Sequence, residues 1–106
     1  MWEVGDSNIE GQGILATRNI QTGETIGHAY GLIGEVNGKH IAGEITILGL
    51  MHNHSETPNA TPIIKDRKIY FIAKKTITKS TEITCDYNEY KDILNIENPA
   101  SEWQEK

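Results

Sequence analysis

The segment MHNHSETPNA, residues 51–60, concentrates hydrogen-bonding side chains in an otherwise ordinary small domain. It contains two histidines, two asparagines and a serine, together with one proline, Pro58, that favours a turn. Each of these polar side chains can donate or accept hydrogen bonds, and an asparagine amide can do both. The segment is therefore the first place to look for a functional site.

A metal site is one interpretation of the two histidines. His52 and His54 are two residues apart and would share a face of an extended chain. Zinc needs further ligands, however, and no cysteine is near in sequence, while His28 and His40 have no matching spacing. We therefore expect no metal, and we expect His52 to be a half-exposed neighbour of the site.

The composition predicts one soluble domain over residues 1–106. The chain is 37% hydrophobic and 24% charged, and it has no apolar run near the roughly 20 residues of a membrane span. Its N-terminus has neither a basic nor an apolar signal region, so an intracellular protein without membrane association is expected. The single cysteine, Cys85, excludes an internal disulfide and a thiolate-rich metal site.

The charge balance indicates the kind of partner. With 10 basic and 15 acidic residues, the chain has a formal charge of −5, which opposes binding to the negatively charged backbone of a nucleic acid. We expect a lysine-rich or arginine-rich peptide as partner, and no nucleic acid.

The apolar segments are short, rich in β-branched residues and separated by glycine or polar turns, which predicts many strands. Asn37-Gly38 is typical of a tight hairpin, and residues 65–68 form a polar turn. Only the tail from Tyr87 onward is predicted as non-strand, with one or two helical turns before Pro99. The predicted strands cover residues 14–16, 24–26, 31–36, 44–48, 61–64, 69–73 and 82–85.

Two segments of the chain resemble each other. Residues 14–26 and 71–83 share an apolar-apolar-alanine start, two polar residues, an isolated isoleucine, a turn and a second strand. The similarity is either the ordinary likeness of strand-turn-strand units or a sign of matching places in one fold.

Four motifs, in this order, resemble the SET-domain family of protein-lysine methyltransferases. They are Gly11-Gln12-Gly13, Asn53-His54-Ser55, Pro58-Asn59 and Glu82-Ile83-Thr84-Cys85-Asp86-Tyr87. The resemblance covers about residues 9–87, with residues 32–50 matching only loosely, and it is closest to minimal SET domains of viral and bacterial type. It implies a mostly-β, β-clip-like fold of several small sheets with a knot-like C-terminal threading, and a short flank over residues 88–106.

The resemblance implies a protein-lysine N-methyltransferase that uses S-adenosylmethionine and acts on a lysine in a basic protein or peptide. An inactive SET-like module that binds such a peptide is the alternative, because a fold can persist after its chemistry is lost. By resemblance, the cofactor would contact Gly11, Gln12, Gly13, Asn53 and His54. Asn59 and Ser55 would instead belong to a buried network that fastens two crossing segments.

Tyr87 is the predicted catalytic residue, since the family places a tyrosine where cofactor and lysine channel meet. Its phenol would orient the lysine amine and place oxygen lone pairs near the methyl group. Tyr30 and Tyr90 are predicted to line the substrate channel, with core packing as the alternative for Tyr30. Trp103 is predicted to pack on the cofactor's adenine, the alternative being a loosely attached tail. A homodimer partner would complete the short peptide groove.

Overall fold

The computed structural model describes residues 1–91 and 94–95, and most of these residues lie in β-strands, which confirms the predicted mostly-β class. The strands are β1 (Trp2–Asp6), β2 (Gln12–Ala16), β3 (Thr25–Val36), β4 (Lys39–Ile45), β5 (Asn53–His54), β6 (Ala60–Lys65), β7 (Lys68–Ala73), β8 (Glu82–Cys85) and β9 (Leu94–Asn95). Two short helices, α1 (Ile47–Met51) and α2 (Asn88–Lys91), precede β5 and follow β8. Within these described residues, no helix is long and apolar enough to cross a membrane.

The strands form two small sheets. One has the order β1-β2-β8-β5, and the other has the order β6-β7-β3-β4-β9. Strand β8 pairs antiparallel with β2 on one side and parallel with β5 on the other. The central position of β8 brings the start of the chain and residues 53–54 to the same place, although they are far apart in sequence.

Both predicted turns are confirmed. Asn37 and Gly38 have φ values of 55° and 80°, as a two-residue hairpin requires, and they connect β3 to β4. Asp66 and Arg67 have φ values of 51° and 63° and connect β6 to β7 in the same way. The β-branched runs on either side of the second turn are strands at the predicted positions.

Two predictions about secondary structure are wrong. Ile47 and Leu48 begin helix α1 instead of extending a strand, because the Thr46 side chain caps the helix by accepting from the Gly49 N–H. A five-residue apolar run cannot be assigned to helix or strand from its periodicity alone. The tail also contributes a strand, since β9 pairs in parallel with the beginning of β4.

The two similar segments occupy matching places in the fold. Ile20 and Ile77 exchange two backbone hydrogen bonds of 2.8 Å each. The Gly23 N–H donates to the Ala73 carbonyl at 2.8 Å, and Ser80 makes the equivalent bond to Ala16 at 2.7 Å. These reciprocal bonds relate the two strand-turn-strand units by an approximate twofold axis.

The hydrophobic core takes side chains from both sheets. Its largest fully buried side chain, Phe71, projects from β7, whereas its neighbour Tyr70 is only half-buried on the opposite face. Burial of each large apolar side chain contributes about 1.5–3 kcal/mol. The other large and fully buried side chains are Ile14, Ile20, Leu48, Ile69, Ile77, Ile83 and Cys85.

Candidate active site

Asn53 is the centre of a dense polar cluster. It lies at the start of β5, half-buried, opposite Thr84 of β8. Its Nδ2 atom lies close to four oxygen atoms: Glu82 Oε2 at 2.9 Å, Ser7 Oγ at 3.0 Å, the Gln12 carbonyl at 3.2 Å and the Glu10 carbonyl at 3.3 Å. An amide nitrogen carries two hydrogens, so acceptors outnumber donors around it.

Gly13 lies directly against this cluster. A Cβ atom at this position would lie 2.4 Å from Glu82 Oε2 and 3.0 Å from Asn53 Nδ2, so only glycine leaves the cluster intact. Gly11, two residues earlier, has a φ of 53°, which lies in the left-handed region that favours glycine. The structure thus brings the predicted glycine loop and Asn53 together.

Ser7 and Glu82 complete the cluster and were not predicted as site residues. The Ser7 hydroxyl contacts Glu82 Oε1 at 2.7 Å and Glu82 Oε2 at 2.9 Å, and it accepts from the Ile9 N–H at 2.8 Å. Ser7 therefore anchors the loop before Gly11 to β8. Ser7 and Glu82 are 75 residues apart, and no local pattern in the sequence signals their pairing.

Asn59 fastens β8 from the other side. It is 7% exposed, its Nδ2 donates to the Glu82 carbonyl at 2.8 Å, and its Oδ1 accepts from the Thr84 N–H at 2.9 Å. The side chain therefore pairs with the backbone of β8 as a neighbouring strand would. Asn59 has the predicted structural role, while Ser55 contributes its backbone N–H to the Cys85 carbonyl at 3.0 Å.

Tyr87 follows β8 and packs against His54. The two ring centroids are 4.9 Å apart, and the Tyr87 N–H donates to His54 Nδ1 at 3.0 Å. Asp86 Oδ1 lies 3.6 Å from the same His54 nitrogen. His54 directly follows Asn53 on β5, and Tyr87 lies two residues beyond the end of β8, the strand that pairs with β5.

The Tyr87 side chain is oriented at its far end as well. Its hydroxyl donates to the His52 carbonyl at 3.1 Å, while the residue remains 40% exposed. Burial raises the pKa of Tyr87 above its usual value, and the charge of Glu10 adds to this effect. At neutral pH the phenol is consequently protonated, fixed in direction and accessible.

His52 corrects one prediction, because it is 4% exposed and not half-exposed. Its ring makes edge contacts with Phe71, at a centroid distance of 4.7 Å, and with Tyr87, at 5.4 Å. Burial lowers the pKa of His52 to about 4, so the ring is neutral at pH 7. Among the described residues, no group of three histidine, cysteine or acidic side chains is placed to hold a metal.

The remaining predicted site residues lie in different surroundings. Tyr30 is 4% exposed and its hydroxyl donates to the Gly49 carbonyl at 3.3 Å, a placement that fits its core-packing alternative. Gln12 has an exposed side chain and faces Asn53 through its carbonyl. The backbone of Tyr90 lies in α2, its side chain is outside the described residues, and Trp103 is outside them altogether.

Comparisons with known proteins agree with this architecture. The SET domain family model matches residues 38–88, a segment that includes Asn53, Asn59 and Tyr87. A crystal structure of a Plasmodium falciparum protein named as a histone methyltransferase superposes with a TM-score of 0.61 and 21% sequence identity, covering 82% of this chain and 96% of that chain. Curated proteins give no significant match to the sequence. The match over residues 38–88, just under half of the chain, and the shared fold together support a SET-domain family protein.

Proposed function

We propose that this protein is a protein-lysine N-methyltransferase that uses S-adenosylmethionine. The observation that carries the proposal is the position of Tyr87, whose ring packs on His54, the residue that follows Asn53 of the polar cluster. A methyl transfer needs a cofactor site and an oriented polar group side by side, because the reacting atoms must be held in line. In this proposal, residues on and beside the strand pair β5–β8 would supply both.

The Asn53 cluster fits the amino-acid end of S-adenosylmethionine. An ammonium group carries three donors and no acceptor, and it requires several oxygen atoms at close range. The cluster offers the carbonyls of Glu10 and Gln12 beside the half-buried Glu82 carboxylate, with more acceptors than the Asn53 amide can satisfy. The space beside Gly11 is open, since a Cβ there would meet no atom within 4 Å. The residues present therefore suit a cationic ligand.

Tyr87 would act as a preoriented dipole and not as a strong base. When bound, S-adenosylmethionine supplies a methyl group activated by the positive charge on its sulfur. Tyr87 holds its proton at neutral pH and donates it to the His52 carbonyl. A phenol oxygen can also accept a hydrogen bond, and we propose that a lysine amine is the donor. The raised pKa keeps the phenol neutral over a wider range of pH.

The lysine would enter as the neutral amine. Its pKa falls when it is desolvated beside another positive charge, so its proton can leave to water. The Tyr87 hydroxyl would hold the lysine nitrogen in line with the methyl group that S-adenosylmethionine would supply, and the sulfur of the cofactor would keep the electron pair of the carbon–sulfur bond. The methylated amine releases or keeps its second proton according to the pH of the solvent.

The proposed substrate is a lysine in a basic protein or peptide. The chain has a formal charge of −5, which complements a lysine-rich or arginine-rich segment. The proposal extends to a channel lined by Tyr30 and Tyr90, to Trp103 packing on the adenine, and to a homodimer that completes the groove.

The experiment is transfer of radiolabelled methyl groups from S-adenosylmethionine to a panel of lysine-rich peptides. We expect transfer by the wild type, loss of about a hundredfold or more in Tyr87→Phe, and little change in Tyr70→Phe. Tyr70 is a matched control because its phenol lies on the other face of β7 from Phe71. Cofactor binding without transfer to any peptide would favour the inactive peptide-binding module instead.

A further inference from the structure

A chain of hydrogen bonds joins the end of helix α1 to the Tyr87 hydroxyl. His52 Nδ1 lies 2.7 Å from the Gly49 carbonyl and 3.2 Å from the Leu48 carbonyl. Carbonyl oxygens only accept, so Nδ1 carries a hydrogen and the tautomer of the ring is fixed. The carbonyl of the same residue, His52, is the acceptor for Tyr87 at 3.1 Å.

The end of α1 is itself firmly seated. A Cβ on Gly49 would lie 2.4 Å from the Ala29 carbonyl oxygen, so the helix backbone packs directly on β3. The Gly49 carbonyl also accepts from the buried Tyr30 hydroxyl at 3.3 Å. The Gly49 carbonyl, to which His52 donates, is therefore held in place by the packing of α1 and by Tyr30, independently of His52.

The contacts of His52 restrict Tyr87 in two ways. The edge contact between the two rings, with an interplanar angle of 80°, limits the plane of the phenol. The His52 carbonyl sets the direction in which the hydroxyl hydrogen points. An aliphatic residue of similar volume would fill the space beside Phe71, but it would leave the Gly49 carbonyl without this donor and remove the side-chain restraint on the His52 peptide.

We propose that His52 is a positioning residue for methyl transfer, and that its Nδ1–H bond to Gly49 fixes the peptide carbonyl that orients the Tyr87 hydroxyl. This inference rests on the proposed function for its effect on rate. The neutral state of the buried ring agrees with it, because a neutral imidazole of this tautomer donates from Nδ1 without introducing a charge beside the phenol.

Three substitutions separate the hydrogen bond from the packing. In His52→Asn, the amide nitrogen can occupy the place of Nδ1 and keep the donor to Gly49. In His52→Gln, the amide reaches the position of Nε2 and the donor is lost, while His52→Leu retains only apolar volume. The first readout is the ultraviolet titration of the Tyr87 phenol, assigned by difference from Tyr87→Phe, and it requires neither cofactor nor substrate.

We expect the Tyr87 pKa to fall in the Gln and Leu variants and to stay near the wild-type value in the Asn variant, because a lost acceptor no longer favours the protonated phenol. The turnover number should drop by about tenfold or more in Gln and Leu and by less than about threefold in Asn, with cofactor affinity unchanged in all three. If His52→Leu does not fold, the comparison of His52→Asn with His52→Gln still tests the role of the hydrogen bond.

The inference would be overturned if the turnover number fell equally in His52→Asn and His52→Gln, or if it was unchanged in both. If the wild type transfers no methyl group, the proposed function fails, and the Tyr87 titration alone then tests the positioning role. A phenol pKa that is identical in all variants would refute it in that case.

Discussion

Replacing Asn59 by alanine should destabilise the domain strongly. The substitution leaves the Thr84 N–H and the Glu82 carbonyl without their partner, and Thr84 is buried while Glu82 is half-buried. A buried group left unpaired costs about 1–3 kcal/mol. We expect about 2 kcal/mol for the Thr84 N–H and about 1 kcal/mol for the Glu82 carbonyl, about 3 kcal/mol in total. This is a large fraction of the roughly 5–15 kcal/mol that stabilises a typical domain.

The assay is urea unfolding followed by far-ultraviolet circular dichroism, with the free energy of unfolding obtained by linear extrapolation. Asn19→Ala is the matched control, because Asn19 is exposed and its side-chain Oδ1 accepts from the Lys79 N–H at 2.8 Å. The control should lose less than about 1 kcal/mol. A loss for Asn59→Ala no larger than that of the control would refute the view that Asn59 acts as a substitute strand for β8.

Three further predictions concern the cluster, the pH dependence and the buried thiol. Gly13→Ala should weaken S-adenosylmethionine binding by about tenfold or more in calorimetry, whereas Gly34→Ala, where a Cβ meets no atom within 4 Å, should not; equal affinities would contradict the assignment. His52 has a pKa lowered from 6.5 to about 4 in the folded state, so the unfolded chain takes up the proton first and stability falls as pH drops through this range. Between about pH 7 and about pH 4.5, urea unfolding should show the wild type losing about 2 kcal/mol more than His52→Asn, and an equal loss would contradict the burial of the ring. Cys85 is fully buried and burial raises the pKa of its thiol, so iodoacetamide should react only as urea unfolds the protein; rapid reaction in native buffer would be inconsistent with this core.

Much of the fold can be predicted because its signals are local. The Asn37-Gly38 turn and the apolar run of β7 specify a hairpin and a strand from a few adjacent residues. Helix α1 could not be predicted, because its short apolar sequence is compatible with a helix and with a strand. The helix forms because Thr46 caps it and Gly49 packs against Ala29. Strand β9 exists through its pairing with β4, which no pattern in the tail reveals.

Some features of the candidate site can likewise be predicted from the sequence, and others cannot. Gly13 lies against Asn53, and Tyr87 packs against His54, so contacts join three of the motifs on which the family resemblance rests. The Ser7–Glu82 bond and the burial of His52 could not be predicted, because both depend on which distant segments pack together. Pairings between distant residues are properties of the folded chain and leave no periodic trace in its sequence.

The central claim is that the Asn53 cluster binds S-adenosylmethionine. The most direct measurement is a calorimetric titration of the wild type and of Asn53→Ala with S-adenosylmethionine and with its demethylated product, using Asn19→Ala as the folded control. We predict saturable binding by the wild type and the control, and loss of about tenfold or more in affinity for Asn53→Ala, since the substitution removes the centre of the cluster. No binding of either ligand by the wild type, or undiminished binding by Asn53→Ala, would contradict the account.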